Sequence, residues 1–231
     1  MPEAFALHRF DHADALAEGL ATRVAAQLRE ALDARGKALL AVSGGSTPKR
    51  FFEQLSQMPL DWARVTVTLV DERWVPESNE RSNARLVKVT LLQHQAAEAN
   101  FVPLYVAAPT PEAAIATLRA RLGELPSTFD VVILGMGGDG HTASFFPGGD
   151  RLAEALDLKG TARVLPMRAE GAGEPRITFT LPALLDSRAL FLHIEGEAKR
   201  SVFDTACEPG STLPMGAVLR AAPQLEPWWC P

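Results

Sequence analysis

The chain has 231 residues, 47% hydrophobic and 22% charged, which excludes a disordered or collagen-like polymer and supplies a core that needs no disulfide or metal staple. Its formal charge of −5 argues against a nucleic-acid partner but leaves room for a small anion held by a few local cations. No apolar run approaches the roughly 18 residues of a membrane span, residues 1–10 lack a leader's basic-then-apolar order, and Cys207 and Cys230 have no zinc or redox spacing; a cytoplasmic protein is expected.

Ala13, Leu16, Ala17, Leu20, Val24, Leu28, Ala31 and Leu32 recur at helical spacing, predicting a long amphipathic helix opened near Asp11 and closed by Gly36. Residues 37–42 read as a buried strand. Ser43-Gly44-Gly45-Ser46-Thr47 then leads into a helix with Pro48 at its first position and Phe51, Phe52 and Leu55 on its apolar side. Residues 65–70 are a strand by β-branching and alternation; the polar stretch 71–83 reads mostly as loop, and Leu86, Val89 and Leu92 suggest a helix after it. Residues 101–106 predict a strand, and Thr110-Pro111-Glu112 opens a helix whose apolar face is Ala114, Ile115, Leu118 and Leu122. Residues 131–134 run without polar alternation, as in a strand covered on both faces. In the second half 163–167, 177–180 and 189–194 read as strands, and 182–186, 197–206 and 213–221 as helices, before a short tail carrying Trp228-Trp229. Strands alternating with helices predict a layered α/β fold with a largely parallel sheet. No linker or repeat divides it, so a single domain over 1–231 is expected.

Ligands in such folds bind beyond the carboxyl ends of the strands, where four polar segments fall here. Gly44, Gly45, Ser46 and Thr47 offer close backbone approach and a helix N-terminus, a cradle for phosphate or sugar hydroxyls; the plainer reading is a turn capped by Thr47. The segment lacks a Walker pattern, and Pro48 replaces the last glycine of a nucleophile elbow. Asp71, Glu72 and Arg73, with Ser82 and Asn83 further along, form either a surface ion-pair cluster or a site where Arg73 meets an oxyanion. Arg81, Arg85 and Lys88 fall on one helical face as a solvated stripe.

Gly135 to Gly140 matches G-x-G-x-x-G, but Asp139 sits where a pyrophosphate would rest and Pro147 breaks the supporting helix, so a dinucleotide is not expected. His141, in that glycine-rich loop, is the one histidine of five suited to general-base work, and Asp139 can orient it. His8, His12 and His94 lie in polar surroundings, and His193, on an apolar strand, reads as a structural, hydrogen-bonded histidine. Arg176 and Lys199 are unremarkable surface cations alone; with the first loop they suffice for a phosphate dianion.

These stretches, SGGSTP at 43–48, DERWVP at 71–76 with Ser82-Asn83, GMGGDGHTASFFPG at 135–148, RITFTLPALL at 176–185 and FLHIEGEAK at 191–199, resemble the 6-phosphogluconolactonase family in order and spacing. The likeness runs over nearly the whole chain; Phe146 departs from the family's more usual leucine. Sugar-phosphate deaminases are similar through Gly-Asp-Gly-His but differ after the histidine and usually carry Asp-Glu-Tyr in place of Asp71-Glu72-Arg73. The resemblance implies a Rossmann-like fold of the sugar-phosphate isomerase kind and hydrolysis of 6-phospho-D-glucono-1,5-lactone in the oxidative pentose phosphate pathway. Neither metal nor cofactor is implied. Catalysis is expected of His141 with Arg73, Asp71 and Asp139. Substrate binding is expected of Gly44, Gly45, Ser46, Thr47, Asn83, Gly137, Gly138, Thr142, Arg176 and Lys199. Loop N–H groups around Gly137 and Gly138, with Arg73, are expected to meet the oxyanion. The alternatives are a deaminase or isomerase of the same fold, a nicotinamide oxidoreductase, and a non-enzymatic sugar-phosphate sensor. A monomer or weak homo-oligomer is expected.

Overall fold

The computed structural model describes residues 5–231; residues 1–4, part of the stretch read for a leader, lie outside it. A two-residue strand, β1 (His8–Arg9), leads into α1 (Ala13–Arg35), whose Leu16, Leu20, Val24, Leu28 and Ala31 are fully buried. The His12 side chain accepts from the Ala15 N–H to start α1, and Gly36, at φ 71°, ends it with its N–H on the Leu32 carbonyl, a conformation that favours glycine. Next come β2 (Ala38–Val42), α2 (Lys49–Ser56), β3 (Val65–Leu69), β4 (Asp71–Arg73), α3 (Asn83–Thr90) and β5 (Asn100–Val102). They are followed by α4 (Pro111–Gly123), β6 (Phe129–Leu134), α5 (Leu152–Leu156), β7 (Val164–Met167) and β8 (Arg176–Phe179). The chain ends with α6 (Leu181–Leu185), β9 (Ser187–Glu195), α7 (Glu197–Cys207), α8 (Pro214–Ala221) and β10 (Glu226–Cys230).

Seven strands make one parallel sheet in the order β1-β10-β9-β6-β2-β3-β5. Every residue of β2 and β6 is buried, which explains the unbroken apolar runs of β2 and of residues 131–134: helices cover both faces of a parallel sheet, and the buried Asp130 of β6 is met by Arg35 and the Leu39 N–H. The layered, largely parallel fold is as the sequence implies.

Several elements depart from the sequence reading. A second, three-stranded antiparallel sheet, β4-β8-β7, stands beside the first. Its β4 is the start of the segment read as loop: Asp71 and Glu72 are buried because β8 supplies their backbone with partners. The Trp228-Trp229 tail is β10, an interior strand between β1 and β9. The predicted strand over 101–106 is reduced to β5. Arg81 precedes α3 and pairs with Glu174 rather than joining a helical stripe, and Val89 is 59% exposed, so it faces solvent instead of the core. Among the described residues no helix is long and apolar enough to cross a membrane.

Candidate active site

The loops after β2, β3, β6 and β9 enclose a cleft of about 230 Å³. Two of them are tied together at Ser43, whose hydroxyl donates to the Ile133 carbonyl and accepts from the Gly135 N–H, both at 3.0 Å. In the first loop Gly44 packs on Asn83: a Cβ there would lie 1.8 Å from the Asn83 Oδ1. Thr47 does not cap α2. Its hydroxyl instead accepts from Lys199 Nζ at 2.8 Å, and Pro48 stands in the cap position ahead of the helix. Burial depresses the Lys199 pKa against the pull of Glu195.

In the loop after β6, Gly137 and Gly140 make a tight turn, with Gly140 N–H on the Gly137 carbonyl and Gly137 N–H on the His141 carbonyl. His141 Nδ1 lies 2.5 Å from Asp139 Oδ1, which also accepts from the His141 backbone N–H at 3.1 Å. Burial opposes ionisation of Asp139, but these bonds to His141, with the pull that ring exerts when protonated, hold the carboxyl below its usual range. With Nδ1–H given to Asp139, the lone pair falls on Nε2, which has no hydrogen-bond partner among the described residues. Phe146 stacks on the imidazole at 4.3 Å between centroids, and a Cβ on Gly137 would come within 2.2 Å of the ring.

The third wall comes from the small sheet. The Asp71 carboxylate accepts from Ser144 Oγ at 2.6 Å and lies 3.6 Å from Arg176 Nη1. Arg73 and Arg176 are directly opposed across the β4–β8 pair, an arrangement that repels unless an anion stands between them. Each keeps a buried Nε with no partner among the described residues. Burial lowers the Arg176 pKa, with Asp71 acting against it. The cleft thus presents Arg73, Arg176 and Lys199 against one carboxylate, Asp71, and its chemistry suits an anionic ligand.

The structure therefore brings Gly44, Gly45, Ser46, Thr47, Asp71, Arg73, Asn83, Gly137, His141, Arg176 and Lys199 to one cleft. Asp139 reaches it only through His141. Gly138 is exposed outside the lining, and Thr142 is buried behind it. The Gly137 N–H is spent on the His141 carbonyl, so it is not free to meet an oxyanion. Arg176, expected on the surface, is 5% exposed because β4 and β8 close over it. His193 does make the hydrogen bond expected of a structural histidine, 3.0 Å to Glu195, yet it also lines the cleft. Sequence reasoning missed that role. The available signal was its place near the carboxyl end of a strand that precedes Lys199.

A family model described as "Glucosamine-6-phosphate isomerases/6-phosphogluconolactonase" matches residues 11–227, and the chain belongs to that family. A 6-phosphogluconolactonase of Rhizobium meliloti (strain 1021) is 57% identical, covering 97% of this chain and 98% of that protein. One from Mesorhizobium japonicum is 55% identical over 94% of this chain and 91% of its own length. The crystal structure of a 6-phosphogluconolactonase from Shewanella baltica OS155 superposes with a TM-score of 0.94 at 41% identity over 100% of both chains. Within the family the chain thus groups with the 6-phosphogluconolactonases, enzymes that hydrolyse a lactone. A monomeric glucosamine-6-phosphate deaminase, 17% identical with a TM-score of 0.75, shares the fold alone.

Proposed function

We propose that the enzyme hydrolyses 6-phospho-D-glucono-1,5-lactone to 6-phospho-D-gluconate, a step of the oxidative pentose phosphate pathway, with His141 as general base. The observation that carries this is the 2.5 Å Asp139–His141 contact, which fixes the ring with Nε2 as its free basic nitrogen. Water gives a proton to Nε2 as its oxygen attacks C1. The ring C1–O bond then breaks, and the imidazolium returns the proton to the departing ring oxygen. Arg73, a lining cation with an unpaired Nε, meets the oxyanion in place of the loop N–H groups. Gly44, Gly45, Ser46, Arg176 and Lys199 hold the phosphate, and Asn83 and Thr47 complete the wall. In this reading the enzyme needs no cofactor and acts in the cytoplasm as a monomer or weak homo-oligomer.

The test follows lactone loss in a rapid assay, with spontaneous opening subtracted. The wild-type protein should accelerate it. His141→Ala should lose about 100- to 10,000-fold in kcat while still binding 6-phosphogluconate. Covalent trapping of an acyl-enzyme on Ser46, or an unimpaired His141→Ala, defeats the mechanism.

A further inference from the structure

Glu72 touches neither the cleft nor solvent; it is 0% exposed. Strand alternation sends Asp71 and Arg73 to the cleft and turns Glu72 the other way, beneath the start of α3. There its carboxylate receives four donors. Oε1 accepts from the Arg73 and Asn83 backbone N–H groups, both at 2.8 Å. Oε2 accepts from the Ala84 N–H at 2.8 Å and from Ser82 Oγ at 3.2 Å. Asn83 and Ala84 open α3, and Ser82 Oγ accepts the next N–H, from Arg85, at 3.2 Å. The free N–H groups of the first turn are thus all met, two of them by a residue 11 and 12 positions upstream. The same turn carries Asn83, whose amide donates to the Asp71 carbonyl at 3.0 Å and whose Oδ1 backs Gly44.

A buried carboxylate is costly unless it is fully hydrogen-bonded, and a neutral cap would have joined strand to helix at less cost. We propose that Glu72 is a positioning residue for the lactonase: ionised, it locks the start of α3 to β4 and so sets Arg73 and Asn83 in the cleft; protonated, it releases them. The lactonase part rests on the function proposed above. A carboxylic acid donates from one oxygen and accepts there only weakly; with the proton on Oε2, Ser82 Oγ can receive it, while the Ala84 N–H loses most of its acceptor. The groups that bear on this equilibrium are few. Asp71, on the same strand, opposes ionisation. Arg73 and, from β8, Arg176 lie on the cleft face, and Arg85 of α3 is exposed. Burial pushes the Glu72 carboxyl up to about 7, against the pull of its three backbone N–H bonds.

The experiment is a pH titration of backbone amide resonances in the ligand-free, full-length protein, paired with kinetics of Glu72→Gln. The Arg73, Asn83 and Ala84 amides should move together near neutrality in the wild type and stay fixed in Glu72→Gln. At pH 8, Glu72→Gln should lose about 10- to 100-fold in kcat/KM, the cost of misplacing Arg73 and Asn83 by about 1 Å, with kcat falling as well as KM rising because Arg73 meets the oxyanion. Its Tm at pH 8 should not fall below that of the wild type, whereas a merely structural role would lower both. If Glu72→Gln does not fold, Glu72→Asp takes its place and should keep the amide titration with a smaller loss in kcat/KM. Wild-type amides that stay fixed from pH 5 to 9, or a replacement with wild-type kcat/KM at pH 8, overturn the proposal. A wild-type protein without lactonase activity but with titrating amides would instead sink the catalytic reading alone.

Discussion

At the scale of single residues, the cleft holds His141 in one arrangement. Asp139 selects its tautomer, Phe146 fixes its plane, and Gly137 leaves room for the ring. Asp139→Asn should therefore lower kcat by about 100-fold with little change in KM, because an amide can hold the ring in the wrong tautomer. A smaller loss than for a buried aspartate is expected, since Asp139 is partly exposed. Gly137→Ala tests the same point sterically: its methyl would stand 2.2 Å from the imidazole, so kcat should fall while 6-phosphogluconate still binds, as calorimetry would show. His141 was legible in the sequence because a histidine among glycines beyond a buried strand has few structural uses. The cleft position of His193 and the burial of Arg176 were not. A histidine in an apolar strand looks the same whether it faces core or cleft, and only the pairing of β4 with β8 buries Arg176.

Among the elements, legibility follows how much of the evidence is local. α1 declares itself by period and by Gly36; β2 and residues 131–134 of β6 declare themselves by unbroken apolar runs. β1, β4 and β10 do not, because strands of two, three and five residues are defined by the partner that completes them. Without β8 alongside, Asp71-Glu72-Arg73 is a polar triplet with no reason to extend. The caps of the legible helices support a prediction at this scale. Gly36 holds φ at 71°, so Gly36→Ala should cost about 1 kcal/mol, and Thr110→Ala, which removes the acceptor for the Ala113 N–H at the start of α4, about the same. Denaturant midpoints should fall for both variants while kcat and KM hold, because neither cap lines the cleft.

For the whole molecule, opposite pKa shifts give stability two limbs. Glu112, whose hydrogen bond to Arg168 holds it at about 2, contributes stability that is present above its unfolded value and lost as pH falls toward 2. Its side chain is 43% exposed, so solvent keeps that contribution small. Glu72 runs the other way: raised to about 7 chiefly by burial, it favours the fold when protonated, and that advantage is lost as pH rises through 7. Calorimetric scans should thus show the wild type losing ground to Glu72→Gln between pH 5 and 8. The far edge of the sheet offers an independent gauge of cooperativity. Cys230 is fully buried in β10, and burial, with Glu195 adding to it, pushes its thiol up to about 11. To expose it, β10 must leave β9, breaking the bond from Gly196 N–H to the Cys230 carbonyl and that from Trp229 Nε1 to the Gly196 carbonyl. Trp228 and Trp229 lose their cover in the same motion, at up to about 8 kcal/mol for the pair, comparable to unfolding a domain. A thiol reagent should accordingly label exposed Cys207 promptly and Cys230 only through global unfolding, at a rate that climbs with urea from the lowest concentrations. A Cys230 rate that stays flat at low urea would show instead that β1 and β10 peel away as a unit of their own.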